Sequence, residues 1–189
     1  VKYLFVHIPK SGGTSIKQIL STDFKTGHIP AKTYWEKGDH HSLVTSFSIV
    51  RNPFDRLVSS YFHLKKEDKK FNRITTKEDT FKSWFHNVFS NYPLTQKHYS
   101  WIYTLPQHYW ITYKDKIVIE NILKIENLDE DVKKLSSKYN LNLPTTIPRL
   151  NKTSHSHYST YYDKEMIKIV EKIYENDLVQ FDYKFDTLS

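Results

Sequence analysis

Residues 3–15 read Tyr-Leu-Phe-Val-His-Ile-Pro-Lys-Ser-Gly-Gly-Thr-Ser. Residues 3–8 are mostly apolar and rich in β-formers, the pattern of a buried central strand. Pro9 and Lys10 end that run, Gly12 and Gly13 follow, and residues 14–22 have helical character. A strand, a glycine turn and a helix start, in that order, make an anion site. The first N–H groups of a helix have no intrahelical partner and lie at the positive end of its dipole. Glycines let the backbone approach a ligand closely and take φ > 0. Lys10 adds a point charge, Ser11, Thr14 and Ser15 add hydroxyls, and the backbone of Gly12 to Ser15 adds N–H donors. The stretch reads as a phosphate cradle, with a plain surface turn as the alternative. It departs from the common nucleotide loop G-x-x-x-x-G-K-[ST], because its lysine precedes the glycines rather than following them.

A second strand–cation–helix unit follows. Val44-Thr-Ser-Phe-Ser-Ile-Val50 reads as a strand, and Arg51-Asn52-Pro53 stops it. Pro53 suits a helix start, and Phe54, Leu57, Val58, Tyr61 and Leu64 then recur at helical spacing. Lys10 and Arg51 would both lie at carboxyl ends of strands, where open α/β sheets bind their ligands. A forked guanidinium matches a phosphate dianion, and Ser59, two turns into the helix, can reach the same group. The plainer alternative pairs Arg51 with Asp55.

The remainder divides more coarsely. Residues 23–42 are polar, contain Gly27, Pro30 and Gly38, and read as a connection. Residues 65–80 read as an exposed loop and 78–89 as a helix with Phe81, Trp84, Phe85 and Val88 on one face. Residues 90–113, rich in Tyr and Trp, fit no single pattern. A strand is expected within 117–126, chiefly Ile122 to Ile125, and a helix begins at Asn127 with an N-x-x-E start. Residues 140–162 read as loop and 163–179 as a last amphipathic helix.

With 189 residues the chain is expected to form a single domain with a real core. Cysteine is absent, which excludes disulfide scaffolds and thiolate chemistry. No apolar run approaches the ~20 residues of a membrane span. The formal charge of +7 suits an anionic partner. Missing Cys and abundant Lys and Asn lead to an expectation of a microbial cytoplasm. A trimmed lumenal domain is the alternative, since the chain begins at Val1.

His7-Ile-Pro-Lys-Ser-Gly-Gly-Thr-Ser15 resembles the H-[IV]-P-K-[ST]-G-G-[ST]-[ST] loop of sulfotransferases that use 3′-phosphoadenosine 5′-phosphosulfate (PAPS). The match is closest to the carbohydrate type of sulfotransferase family 2, with its heparan- and chondroitin-like members. Val50-Arg-Asn-Pro-Phe-Asp-Arg-Leu-Val-Ser-Ser-Tyr61 is similar to that family's 3′-phosphate motif, V-R-[ND]-P-x-[DE]-R-x-x-S-x-Y. Ile122-Leu-Lys-Ile-Glu-Asn-Leu128 is similar to its late strand. Asn151-Lys-Thr-Ser154, with Tyr161-Tyr162 and Phe181-x-Tyr183 beyond it, is similar to its C-terminal end.

The resemblance implies a P-loop-like, three-layer α/β fold with a central parallel sheet of about four or five strands flanked by helices. It implies sulfuryl transfer from PAPS, with 3′,5′-ADP (PAP) as product and no metal required. Lys10 would stabilise the leaving phosphate, residues 11–15 would hold the 5′-phosphate, and Arg51 and Ser59 the 3′-phosphate. Arg149, Asn151, Lys152, Thr153 and Ser154 would close over the nucleotide. A carbohydrate or glycolipid acceptor is expected, and nucleic acid is not. For the base, histidine suits a working pH near neutral. His40-His41-Ser42 matches the family's H-x-S context with His40 first and His41 second. His98 and His108 are further candidates, and His7 is expected within the first strand. The rival functions are a P-loop small-molecule kinase and a non-catalytic nucleotide- or nucleic-acid-binding module.

Overall fold

The structure, a computed structural model, describes residues 2–71, 76–144, 146–148 and 155–187. In chain order its elements are β1 (Tyr3–Val6), α1 (Gly13–Lys17), β2 (Phe24–Gly27), α2 (Ala31–Glu36), β3 (Thr45–Val50), α3 (Pro53–Phe71) and α4 (Phe81–Ser90). There follow α5 (Trp101–Thr104), α6 (His108–Ile111), β4 (Thr112–Tyr113), β5 (Lys116–Ile117), β6 (Asn121–Lys124), α7 (Leu128–Tyr139), α8 (Lys164–Ile173) and α9 (Glu175–Gln180). They fall into two compact units, residues 1–51 with 107–152, and residues 52–106 with 153–189.

The first unit is an α/β layer built on a four-stranded, wholly parallel sheet in the order β2-β1-β3-β6. Tyr3 lies opposite Thr45 and Val6 opposite Ser48 and Gly27, so β1 and β2 end level and β3 runs two residues further, to Val50. Alternate residues face one side, where Phe5, Phe47, Ile49 and Leu123 meet Ile16 of α1 and Val132 and Leu135 of α7. Phe5 and Phe47 are stacked with centroids 4.7 Å apart. Each such side chain contributes about 1.5–3 kcal/mol by leaving water. Helix α2 packs on α6 and on the β4–β5 hairpin, whose turn residues Lys114 and Asp115 both take positive φ, 49° and 59°, as a two-residue primed turn requires.

The second unit is helical. Phe54, Leu57, Val58 and Tyr61 of α3 pack with Phe81, Trp84 and Phe85 of α4 and with Met166 and Val170 of α8. Thr80 caps α4 by accepting from Ser83 N (3.1 Å), and Asp163 caps α8 by accepting from Met166 N (3.0 Å). The Arg56 guanidinium is fully buried and donates to the carbonyls of Tyr103 (3.3 Å) and Leu105 (2.5 Å).

Several segments differ from the pattern-based expectation. The polar connection over 23–42 contains β2 and α2. β2, Phe-Lys-Thr-Gly, is an edge strand with one large apolar residue, so hydropathy hides it. The helix expected over 14–22 is only five residues long. The expected loop from residue 65 is instead the last two turns of α3, where exposed Lys66, Lys69 and Lys70 and half-buried Lys65 and Glu67, good helix formers, need no apolar face. The single helix expected over 163–179 breaks at Tyr174 into α8 and α9.

Candidate active site

The turn after β1 carries the first cluster. His7 N–H continues the ladder onto Gly27 O at 3.1 Å. Ile8 O then accepts from Ser11 N (3.4 Å) across a turn with Pro9 and Lys10 at its corner. Pro9 presets its own φ. Lys10 takes φ 66°, a left-handed conformation that costs a non-glycine residue ~1–2 kcal/mol. Gly12 follows with φ 80° and leads into α1. A Cβ on Gly12 would lie 2.9 Å from Ile125 Cδ1, so the position needs glycine on both counts. Ser11 and Ser15 are buried, and Thr14 is exposed.

Arg51, one residue beyond β3, meets this turn directly. Its Nη1 donates to Lys10 O at 3.1 Å, a bond that helps hold the Lys10 peptide in its left-handed setting. Gln107, fully buried just before α6, donates from Nε2 to Arg51 O (2.9 Å) and accepts at Oε1 from Arg51 N (2.9 Å) and Ser11 Oγ (3.4 Å). The sequence reading missed Gln107. A lone glutamine in an aromatic stretch with no periodicity offers no signal beyond its place after Pro106.

Under the turn lies a histidine pair. His7 is almost wholly buried, with its ring 5.5 Å from Phe5 and 4.1 Å from His28. Burial, with the charges of His28, Lys17 and Lys10 behind it, lowers its pKa to about 3, so it is neutral at physiological pH. His28 follows β2. Its Nδ1 lies 2.6 Å from His7 O, and because a carbonyl only accepts, Nδ1 carries the proton and Nε2 keeps a lone pair. As a residue His28 is exposed, but its ring rests on His7 and edge-on to Trp110 (6.4 Å). That partial burial lowers its pKa, with the His7 carbonyl opposing and Lys17 reinforcing.

His40 and His41 are elsewhere. They sit on a 3₁₀ turn, Asp39–Ser42, that precedes β3, with His40 stacked on Trp35 at 4.8 Å. Val44 N donates to Lys2 O (2.8 Å), which sets this turn beside the start of β1. The six residues of β3 span about 20 Å at ~3.3 Å each. The turn is therefore at the amino end of the sheet, opposite Lys10 and Arg51. His40 and His41, candidate bases by their H-x-S context, thus lie away from the Lys10 turn, because the parallel pairing of β1 and β3 sends everything before β3 to the far end.

Ser59 is buried on α3, in the helical unit. His98 is also in that unit and accepts from Ser100 N at 3.1 Å, while His108 opens α6. Most of the aromatic stretch is packing: Tyr99, Trp101 and Tyr103 lie against the helical core, and Trp110 is buried in the sheet unit. Arg149, Asn151, Lys152, Thr153 and Ser154 lie outside the described residues. Among the described residues no group of three or more His, Asp or Glu could hold a metal, and no helix is long and apolar enough to cross a membrane.

A parallel α/β sheet with a lysine turn and an arginine joined at its carboxyl edge defines a class, the α/β domains with a basic carboxyl edge. The sulfotransferase family model matches residues 2–184, a run that crosses both units, and the chain belongs to that family. An uncharacterized protein of Archaeoglobus fulgidus is 29% identical over 113 residues, which cover 59% of this chain and 80% of that relative.

Proposed function

We propose that the chain acts as one catalytic domain that moves a sulfuryl group from PAPS to an acceptor hydroxyl on a carbohydrate or glycolipid, releasing PAP. The observation that carries this reading is the direct bond between the Arg51 guanidinium and the Lys10 turn, beyond the carboxyl ends of the paired strands β1 and β3. Two cations held in one frame suit a donor with two separate phosphate groups. When bound, that donor supplies a sulfuryl group on a phosphate leaving group.

The chain's own groups take the other parts. Backbone N–H groups of Gly12 to Ser15 and the Thr14 and Ser15 hydroxyls receive the 5′-phosphate. Arg51 receives the 3′-phosphate by its fork. Lys10 stabilises the charge that grows on the bridging oxygen as the S–O bond breaks, an interaction stronger in the transition state than in the ground state. As the acceptor oxygen attacks sulfur, its proton passes to a base. His28 suits this role better than His40 or His41: it follows β2 at the same end of the sheet as Lys10. The His7 carbonyl fixes its tautomer, and its lowered pKa keeps Nε2 free to accept near neutral pH.

A sulfuryl group carries less charge than a phosphoryl group, so Lys10 meets a smaller burden than a kinase site does. The kinase reading also lacks its parts in the sequence: no lysine directly follows the glycines, and β3 is followed by Arg51 rather than by a carboxylate. Calorimetric titration with PAP, beside ADP with Mg²⁺, tests the donor. Tight PAP and weak ADP binding are expected, and the reverse order overturns the reading in favour of a kinase. Binding to nucleic acid that collapses with added salt, without preference for a 3′-phosphate, would point to the non-catalytic module. Radiolabelled sulfate transfer to a panel of polysaccharides then tests the acceptor class.

A further inference from the structure

β3 ends at Val50, yet the peptide of the next residue, Arg51, is as fully engaged as one inside a sheet. Beyond this point β1 turns away through Pro9 and β6 ends at Lys124, so among the described residues no strand continues beside Arg51 in the ladder. The Gln107 side chain takes the missing strand's place. Its amide exchanges two hydrogen bonds of 2.9 Å with the N–H and C=O of the one residue, as a neighbouring peptide would. Its Oε1 also reaches the Ser11 hydroxyl at 3.4 Å, and Arg51 Nη1 closes the ring onto Lys10 O at 3.1 Å. A buried amide that loses such partners cannot turn to water for others.

We infer that Gln107 is a positioning residue that holds Arg51 in register with the Lys10 turn, and so sets the spacing between the 3′- and 5′-phosphate subsites. The inference rests on the nucleotide reading above. Gln107 touches neither phosphate. It fixes the peptide from which the Arg51 side chain projects, and it ties that peptide to residue 11 of the turn. Its removal should therefore erode the advantage that a second phosphate confers, more than it erodes the affinity for a single 5′-phosphate. A merely structural role would weaken both ligands by the same factor, because only the folded fraction would change.

The test is the ratio of the dissociation constants of AMP and PAP, measured by calorimetry on the full chain at a temperature where each variant is folded by circular dichroism. In Gln107→Leu the AMP/PAP ratio is expected to fall by about tenfold from its wild-type value, the effect of ~1.4 kcal/mol. Gln107→Glu is the second variant, should the leucine protein not fold. It keeps the size and the acceptor oxygen but turns an oxygen, with a negative charge, toward Arg51 O. Its ratio should fall as well. A ratio within about twofold of wild type in either folded variant overturns the assignment. A wild-type protein that does not distinguish PAP from AMP fails the nucleotide reading itself, a result separate from any variant.

Discussion

Gly13→Ala puts the packing under the anion turn to a quantitative test. Gly13 opens α1, and a Cβ built there lies 2.0 Å from Cδ2, 2.2 Å from Nε2 and 2.8 Å from Cγ of His7. These are ring atoms, not the loose end of a long side chain. The ring cannot retreat easily, since it is nearly buried, stacked near Phe5 and lies 4.1 Å from His28. Two effects oppose each other. Alanine is a better helix residue than glycine by about 1 kcal/mol. Forcing carbon into a filled core costs typically ~1–3 kcal/mol, and contacts this short belong at the upper end. Overpacking wins, and a net loss of about 2 kcal/mol should lower the melting temperature of a chain of this size by ~4–8 °C. In a His7→Ala background the obstruction is gone while the helix gain remains, so Gly13→Ala should become neutral or stabilising. Thermal melts of wild type, both single variants and the double variant read this as a coupling of at least ~1–2 kcal/mol. If Gly13→Ala costs the same with and without the His7 ring, the argument fails.

The remaining expectations follow from the same elements. Lys10→Ala should reduce turnover by roughly 10²–10³-fold with a smaller effect on PAP affinity, and full activity would remove Lys10 from the reaction. Arg51→Ala should weaken PAP by about tenfold or more, the worth of one charged hydrogen bond of ~1.5–3 kcal/mol, and unchanged PAP binding would refute the phosphate role. His28→Gln should lower turnover by about 10²–10⁴-fold while leaving PAP binding intact, whereas loss of transfer in His40→Ala with an active His28→Gln would return the base to the 3₁₀ turn. For His7 the sign is fixed by its lowered pKa: unfolded, it binds a proton below about 6.5, and folded only near 3. Its contribution is present above pH 6.5 and is lost as pH falls toward 3, at ~1.4 kcal/mol per pH unit. Denaturant titrations between pH 6.5 and 5 should show this slope in wild type and its loss in His7→Ala.

The parts of the fold legible in the sequence were those with a dense physical signature. β1 and β3 are buried runs closed by Pro9 and Pro53, and α3 and α4 repeat apolar residues at helical spacing, so their identities were readable. β2 was not, because an edge strand with one buried phenylalanine looks like a loop to any hydropathy pattern. Missing β2 also hid His28. Read as part of a polar connection it was one loop histidine among several, and only the pairing of Gly27 with Val6 shows that it leaves the sheet beside the Lys10 turn. Gln107 was hidden for another reason. Its importance lies in which peptide its amide meets, 56 residues away, and no local pattern records that.

The strand order accounts for why the two cations meet although 40 other residues separate them in the chain. From β1 the chain goes first to β2 on one side and then crosses to β3 on the other, so β1 and β3 are neighbours whose onward connections diverge. Such a reversal leaves a crevice outside the carboxyl ends of the two strands, which is where open parallel sheets receive ligands. Lys10 and Arg51 are the first cations after those strands and line that crevice by topology alone. The same logic separates the histidines by place. One that follows a strand, as His28 follows β2, lies at the carboxyl end of the sheet. Those that precede one, as His40 and His41 precede β3, belong to the opposite end however near they stand in the chain. A base assignment from motif spacing compares residue numbers, whereas a parallel sheet sorts residues by whether they come before or after a strand.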